Sequence, residues 1–182
     1  MFGFGQLIDI LKKDPKKIVF TEGNDPRILE AASRLLASNF LHPILVGNPD
    51  EIAKVAEESG FNIRGAEIID PMKYDRFDEM VEMFCELRKS KGVTPEQARG
   101  ILSQANYFGT MLVKMGVADS LLGGATYSTA DTVRPALQLI KQNRVTQLYL
   151  PASSWYVRQL QARTKYLQWL TVRSTFIQQR TS

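Results

Sequence analysis

Short apolar segments alternate with longer amphipathic ones along the first 140 residues of the chain. The short segments are rich in β-branched residues and are bounded by Gly, Pro, Asn or Asp, which is typical of buried strands. Such strands, separated by about a dozen helical residues, form parallel sheets covered by helices on both faces. The pattern therefore predicts an α/β fold, a three-layer sandwich with a mainly parallel sheet, whose strands lie at 17–21, 43–46, 66–69 and 118–122.

Capping residues mark where the predicted helices begin. Asp25-Pro26 and Asn48-Pro49 each place a favourable N-cap residue before a proline at the first helical position. Gly60 is typical of the residue that follows a helix, so the second of these helices is expected to end there. Further helices are predicted at about 76–89, from Thr94 onward, and at 107–115.

The last 42 residues differ in composition from the rest of the chain. Residues 1–140 carry 16 basic and all 19 acidic side chains, a net charge of −3, whereas residues 141–182 carry 7 basic side chains and no acidic one. The tail lacks sustained periodicity, and ordering a backbone costs about 1–2 kcal/mol per residue. We therefore expect one α/β domain over residues 1–141 and a poorly ordered tail over 142–182.

Bulk properties restrict the class of protein. With one cysteine, Cys85, the chain cannot form an internal disulfide, which fits a reducing compartment. The sequence shows neither a signal peptide nor an apolar run of about 20 residues, so the cytoplasm is the expected location and no membrane contact is expected. One Cys and one His, His42, are too few for a zinc site. No metal is expected; His42 is predicted to be structural and Cys85 to be a buried thiol.

Polar side chains cluster where the last predicted strand ends. Two glycines follow the strand, and then come several hydroxyl side chains, among them those of Ser128, Thr129 and Thr132, and the guanidinium of Arg134. In open α/β sheets, ligands bind beyond the carboxyl ends of the strands. Backbone N–H groups at a helix start, hydroxyls and a guanidinium suit phosphate or a similar anion. The stretch therefore predicts an anion site.

The same residues also fit a structural interpretation. Ser128 and Asp131 have the spacing of a capping box, which predicts a capped helix after a glycine turn, with Arg134 on the surface. Pro135 would kink a helix that begins at Ser128, or else the helix begins near Pro135 itself. Spacing alone leaves these alternatives open.

Several motifs resemble those of the phosphate acetyltransferase (phosphotransacetylase) family, whose members move an acetyl group between coenzyme A and inorganic phosphate. The resemblance extends from Leu7 to Lys141, with butyryl-transferring relatives as a near alternative. One departure is Thr21, which stands where the family commonly has proline. The motifs are KKIVFTEGNDPRILEAA, HPILVGNPDEI, EIIDP, ELRKSKGVTPEQA, YFGTMLVKMGVADSLLGGA and STADTVRPALQLIK.

The resemblance implies a two-domain α/β enzyme, usually a homodimer, with its active site between the domains. It implies that Arg88 and Arg134 help to bind coenzyme A and phosphate, and that no cofactor is bound, since coenzyme A, acetyl-CoA and acetyl phosphate are substrates. In the family the coenzyme A thiol attacks the acyl phosphate while a base removes its proton. That base and a Ser-Arg pair come from a later segment, which nothing after Lys141 resembles. The catalytic residues are therefore unknown here, and the second domain is expected to be missing.

A frameshift would account for the composition of the tail. Reading its codons one base early permits Lys-Thr-Lys-Pro-Gly over 140–145, Ser-Ser-Gly-Ile-Phe-Leu-Val-Arg over 149–157 and Ala-Asp-Cys-Ala-Ile-Asn within 167–176, and the family carries such strings in this order. The Val is forced, because Trp155 (TGG) precedes Tyr156 (TAY). We hypothesise that one base was lost near codon 141 and that the tail is translated in the wrong frame.

Three functions fit the sequence. The first is acetyl transfer between acetyl-CoA and phosphate. The second, favoured for the chain as translated, is a truncated, non-catalytic relative that retains coenzyme A or anion binding. The third is single-strand nucleic-acid binding by the basic, aromatic tail, which only its composition supports, so no nucleic-acid partner is expected.

Nucleotide sequencing across codon 141 tests the frameshift. Restoring one base there is expected to reopen a long reading frame with family-like sequence. A frame that stays closed after this correction, or that encodes unrelated sequence, rules the hypothesis out.

Overall fold

The computed structural model describes residues 4–39 and 41–140 of the chain. The tail over 142–182, with the predictions made for it, lies outside the described residues. Within them, strands and helices alternate as the sequence predicts. In chain order the elements are α1 (Phe4–Lys13), β1 (Lys16–Phe20), α2 (Pro26–Ser38), β2 (Leu41–Val46), α3 (Pro49–Glu58), β3 (Glu67–Ile69), a 3₁₀ turn (Pro71–Lys73), α4 (Phe77–Leu87), a second 3₁₀ turn (Lys89–Lys91), α5 (Pro95–Leu102), α6 (Ala105–Lys114), β4 (Ser120–Leu122) and α7 (Thr129–Leu139).

The four strands form one parallel sheet in the order β3-β2-β1-β4. β1 lies in the middle, and its last residue, Phe20, pairs with Leu45 of β2 and with Leu122 of β4. The predicted α/β fold with a parallel sheet is confirmed. Because all strands run the same way, the segments that follow them meet at one edge of the sheet.

Helices cover both faces of the sheet. Neighbouring strand residues point to opposite faces, and Val19 and Phe20 are both buried, each in a different apolar cluster. The Phe20 cluster joins the sheet to α2 and α3, and the larger Val19 cluster joins it to α4, α5, α6 and α7. The predicted three-layer sandwich is thus confirmed for the described part of the chain.

The predicted helix caps are present. The side chains of Asp25 and Asn48 each accept the backbone N–H two residues later, at 2.9 Å. Thr94 and Gln97 form a reciprocal capping box at the start of α5. Gly60 follows α3 with φ +71°, a left-handed conformation that favours glycine. Local sequence therefore determines where these helices start and stop.

The structure places Cys85 and His42, the two residues considered for a zinc site, where solvent can reach them. Cys85 is half-buried rather than buried, because it lies one residue beyond Phe84, the residue of α4 that faces the core. His42 is exposed on β2 and does not enter the core. In the described ranges no group of three or more His, Cys, Asp or Glu side chains could hold a metal ion, and no helix is long and apolar enough to cross a membrane.

Helix α6 approaches the sheet closely at Gly109. A Cβ added at Gly109 would lie 2.9 Å from the Leu121 Cδ1 and Thr21 Cγ2 atoms and 3.1 Å from the Val19 Cγ1 atom. These neighbours belong to β1, to β4 and to the residue after β1, so the helix rests across both strands. The missing side chain therefore sets the distance between helix and sheet.

Replacing Gly109 with Ala is expected to lower the free energy of unfolding by about 1–3 kcal/mol, because overpacking outweighs the better helix propensity of alanine. Gly100 is the matched control, since it lies in α5 with open space where its Cβ would be. Gly100→Ala should raise the free energy of unfolding by about 0.4–1 kcal/mol. Denaturant unfolding of both variants checks this, and a stabilised Gly109→Ala protein would contradict the packing argument.

Candidate functional site

The segments that follow β1 and β4 meet at the carboxyl edge of the sheet. Since Phe20 pairs with Leu122, the residues two positions beyond this pair, Glu22 and Gly124, lie opposite each other. Glu22 lies two residues beyond the end of β1 and is itself only 4% exposed. A buried carboxylate requires hydrogen-bond donors, and the loop after β4 supplies them.

The Glu22 carboxylate accepts hydrogen bonds from four consecutive backbone N–H groups. Its Oε2 atom accepts from Gly124 at 2.8 Å and Ala125 at 2.9 Å. Its Oε1 atom accepts from the Tyr127 N–H at 3.0 Å, the Thr126 hydroxyl at 2.8 Å and the Thr126 N–H. Successive N–H groups that converge in this way form an anion-binding concavity. In this chain the concavity is occupied by the chain's own carboxylate.

Glycines make this close approach of the two segments possible. A Cβ at Gly123 would lie 2.6 Å from the Thr21 Oγ1 atom, and one at Gly23 would lie 2.8 Å from the backbone oxygen of Val46. Gly124 has φ +102°, in the left-handed region that disfavours a side chain. Gly123 and Gly124 are therefore required by the geometry of the loop, and Gly23 by the close approach of its segment to β2, in addition to any role near a ligand.

Arg27 forms a second connection between the two segments. Its guanidinium donates to both carboxylate oxygens of Asp25, at 2.9 and 2.7 Å, and its Nη2 atom also donates to the backbone oxygen of Ala125 at 2.9 Å. Asp25 in turn caps α2. The loop after β4 is thus held through its N–H groups by Glu22 and through one carbonyl by Arg27.

The hydrogen bonds to Glu22 favour its ionised form. Burial raises the pKa of Glu22, but the N–H groups of Thr126, Ala125 and Tyr127 and the Thr126 hydroxyl outweigh burial and hold the pKa below its ordinary value of 4.5. Burial, together with the negative charge of Glu22, raises the pKa of the Tyr127 phenol. The carboxylate is therefore charged at neutral pH.

Two of the three hydroxyl groups predicted to bind an anion form hydrogen bonds at the start of α7. The Ser128 Oγ atom caps α7, accepting from the Asp131 N–H at 3.2 Å and donating to the Asp131 carboxylate at 2.6 Å. The Thr132 hydroxyl is buried and donates to the Ser128 backbone oxygen at 3.0 Å. Thr129 is exposed at the first helical position. The N–H groups of the residues before Ser128 already donate to the Glu22 carboxylate. The anion site predicted there is therefore occupied by a carboxylate of the same chain.

Pro135 lies inside α7, and a side chain from α6 compensates for it. A proline has no N–H to donate to the carbonyl four residues earlier, which is that of Asp131. The Asn106 side-chain amide donates to this oxygen instead, at 2.7 Å, from a position only 9% exposed. The helix therefore begins after Ser128, as the capping pattern predicts, and the alternative start near Pro135 is wrong.

Tyr107 of α6 contacts α4, which Arg88 directly follows, and α7, which contains Arg134. The Phe84 ring of α4 lies 6.4 Å from the Tyr107 ring, and the Tyr107 hydroxyl donates to the Gln138 Oε1 atom of α7 at 3.1 Å. Arg88 follows Phe84 by four residues and Arg134 precedes Gln138 by four, so each lies one turn from a Tyr107 contact. Arg134 is exposed and Arg88 is half-buried. The two elements thus share a contact with Tyr107 of α6.

Sequence reasoning missed Glu22 and Asn106. A charged residue just beyond a buried apolar strand is a usable signal for Glu22. Its partners could not be found that way, because β1 and β4 are the first and last strands in the sequence and become neighbours only in the sheet order. No pattern near Asn106 in the sequence indicates its role, because Asn106 compensates for the N–H group that Pro135 lacks in another helix.

Comparison with known proteins agrees with the motifs. The family model described as phosphate acetyl/butaryl transferase matches residues 4–164. A phosphate acetyltransferase of Bacillus subtilis is 54% identical over 125 residues, and one of Thermoanaerobacterium thermosaccharolyticum is 47% identical over 135 residues. A crystal structure of a phosphotransacetylase from Streptococcus pyogenes superimposes with a TM-score of 0.68 at 45% identity, and the EutD phosphotransacetylase from Staphylococcus aureus with 0.70 at 41%.

The match covers more of this chain than of its relatives. It includes 69% and 74% of this chain but only 38% and 40% of the two curated relatives, and 76% and 79% of this chain but 43% and 44% of the two solved structures. The chain therefore spans about two fifths of the length of the proteins it resembles.

The pKa of Glu22 predicts a pH-dependent stability. Because the folded-state pKa lies below the unfolded value of 4.5, the ionised carboxylate stabilises the fold at neutral pH, and this contribution is lost as the pH falls below 4.5 through the folded-state pKa. Glu22→Gln should lower the free energy of unfolding at pH 7 by about 1.5–3 kcal/mol, and the difference should shrink on acidification. Chemical denaturation across this range measures it, with Glu30→Gln on the surface of α2 as control; a pH-independent difference for Glu22→Gln would contradict the assignment.

Proposed function

The chain belongs to the phosphate acetyl/butaryl transferase family, and from this we propose that it derives from an enzyme that transfers acetyl groups between acetyl-CoA and inorganic phosphate. The observation that supports acetyl transfer most directly is the 54% identity to a phosphate acetyltransferase. Acetyl phosphate and coenzyme A are the other two reactants. The butyryl-transferring alternative is not favoured, because the curated relatives compared above are named for acetyl transfer.

Within this proposal, Arg88 and Arg134 bind phosphate groups of the substrates. Four arginines of the described ranges, at 27, 34, 76 and 99, pair with carboxylates. Arg88 and Arg134 take part in no ion pair within those ranges, so their guanidinium groups can bind a phosphate without first breaking an internal contact. Arg88 and Arg134 each lie four residues from a residue that contacts Tyr107.

For the 182-residue chain we propose binding without efficient turnover. The reaction needs a base to take the thiol proton and positive charge to stabilise the transition state. The resemblance assigns the base and the Ser-Arg pair to a later family segment, and the motifs recognised here do not include it. Ser128, Thr129 and Thr132 remain candidate substrate contacts. Homodimer formation belongs to the same proposal and rests on the resemblance alone, whereas a cytoplasmic location is proposed because a single cysteine fits a reducing compartment.

Coenzyme A binding to the full chain tests the proposal. Isothermal titration of coenzyme A into the wild-type chain should show saturable binding, and Arg134→Ala should weaken it by about tenfold or more, as expected for the loss of a charged hydrogen bond. Arg64→Ala is the matched control, because Arg64 is an exposed arginine without an ion pair in the described ranges. A wild-type chain that does not bind coenzyme A, or equal losses in both variants, would contradict the assignment.

A thioester assay tests the second part. Coenzyme A and acetyl phosphate mixed with the purified chain should give no thioester at ordinary enzyme rates of about 1–10³ per second. Turnover in that range would show that this chain carries a complete catalytic site.

A further inference from the structure

The carboxylate of Glu22 occupies a position that is built to receive an anion. Four consecutive N–H groups and one hydroxyl converge on its two oxygens. Backbone concavities of this kind bind phosphate and other anions in many proteins. Here the anion is part of the chain, and the residue that carries it is almost completely buried. An added phosphate would therefore have to displace a buried carboxylate that already has five donors.

The order of the strands explains how Glu22 reaches this position. β1 and β4 are parallel neighbours, so the residues that leave their carboxyl ends run side by side. Gly123 lacks a side chain that would collide with Thr21, and Gly124 adopts a φ of +102°, which disfavours a side chain. The register of the sheet places Glu22 opposite Gly124, so its side chain contacts the loop directly.

The loop that Glu22 holds leads directly into α7. Tyr127, the last residue bonded to Glu22, precedes Ser128, whose hydroxyl caps the helix. Arg134 follows six residues after Ser128, about 9 Å along a helix that rises 1.5 Å per residue. The direction in which the chain enters α7, and with it the placement of Arg134, therefore depends on the loop conformation that the carboxylate fixes.

We propose that Glu22 is a positioning residue: an internal carboxylate that stands where a bound anion would lie and holds residues 124–127 so that α7 presents Arg134 to coenzyme A. This inference rests on the proposed function of Arg134. It assigns phosphate recognition to the guanidinium groups of Arg88 and Arg134, and a structural role to the backbone N–H groups of residues 124–127. Arg27 supports the same loop from its carbonyl side, at Ala125.

Removal of the carboxylate and its replacement by a small free anion tests the proposal in the full chain. In Glu22→Ala, the amide hydrogens of residues 124–127 should exchange about tenfold faster or more, and coenzyme A should bind about tenfold more weakly or worse, because the loop loses its charged acceptor. Sodium formate supplies a carboxylate of the right size and should restore both quantities, whereas sodium chloride at equal ionic strength should not. Glu30→Ala, which removes an exposed carboxylate paired with Arg34 on α2, is the matched control and should change neither.

The outcomes separate positioning from general loosening of the fold and from failure of the proposed function. Recovery with formate supports positioning, because a generally loosened fold would not regain affinity from a small carboxylate. Unchanged exchange at 124–127 in Glu22→Ala, or altered exchange with unaltered coenzyme A affinity, overturns the proposal.

If the wild-type chain binds no coenzyme A, the proposed function fails, and the link to Arg134 falls with it, while amide exchange still shows whether Glu22 holds the loop. If Glu22→Ala does not fold, Glu22→Gln replaces it: the amide keeps one acceptor oxygen, and unchanged exchange and affinity in this variant overturn the proposal equally.

Discussion

The buried Glu22 carboxylate accepts hydrogen bonds from four consecutive backbone N–H groups. It thereby joins the segment after β1 to the loop after β4. The arrangement of the edge depends on it, because the N–H groups of the loop after β4 would lose their acceptor if Glu22 were absent. Burial alone would disfavour the charge, so the carboxylate and the loop stabilise each other. Gly123 is part of the same arrangement, because a side chain there would collide with Thr21, whereas Gly23 permits the close approach to Val46 of β2.

On the other face of the sheet, two contacts of α6 hold α6 and α7 in place. Gly109 lets α6 lie against β1 and β4, and Asn106, one turn earlier, satisfies the carbonyl that Pro135 leaves open in α7. The two helices that bear on the candidate site are thus fixed both to the sheet and to each other. Thr21 is the exception, since its buried hydroxyl has no hydrogen-bond partner among the described residues, at the position where the resembled family commonly has proline.

Local patterns predicted most of the fold, and contacts distant in sequence account for what they missed. Asp25, Asn48 and Thr94 cap helices where their spacing indicates, because capping involves residues only two or three positions apart. Helix α1 was not predicted. The order β3-β2-β1-β4 follows from packing of the whole chain, and only this order places Glu22 beside Gly124. The sequence predicted an anion site at this loop, but it could not show that a carboxylate of the same chain accepts hydrogen bonds from the loop.

Function follows from the family, and the structure constrains how the described domain would serve it. Because the Glu22 carboxylate occupies the N–H groups of the loop, we propose that Arg88 and Arg134 recognise phosphate. The ionisation of Glu22 tests this account most directly, through the ¹³C chemical shift of its carboxyl carbon followed against pH in the folded chain. The account predicts a titration midpoint below 4.5, the ordinary value for glutamate. A midpoint at or above that value would contradict it, because the N–H groups of the loop would then not be holding a charged carboxylate.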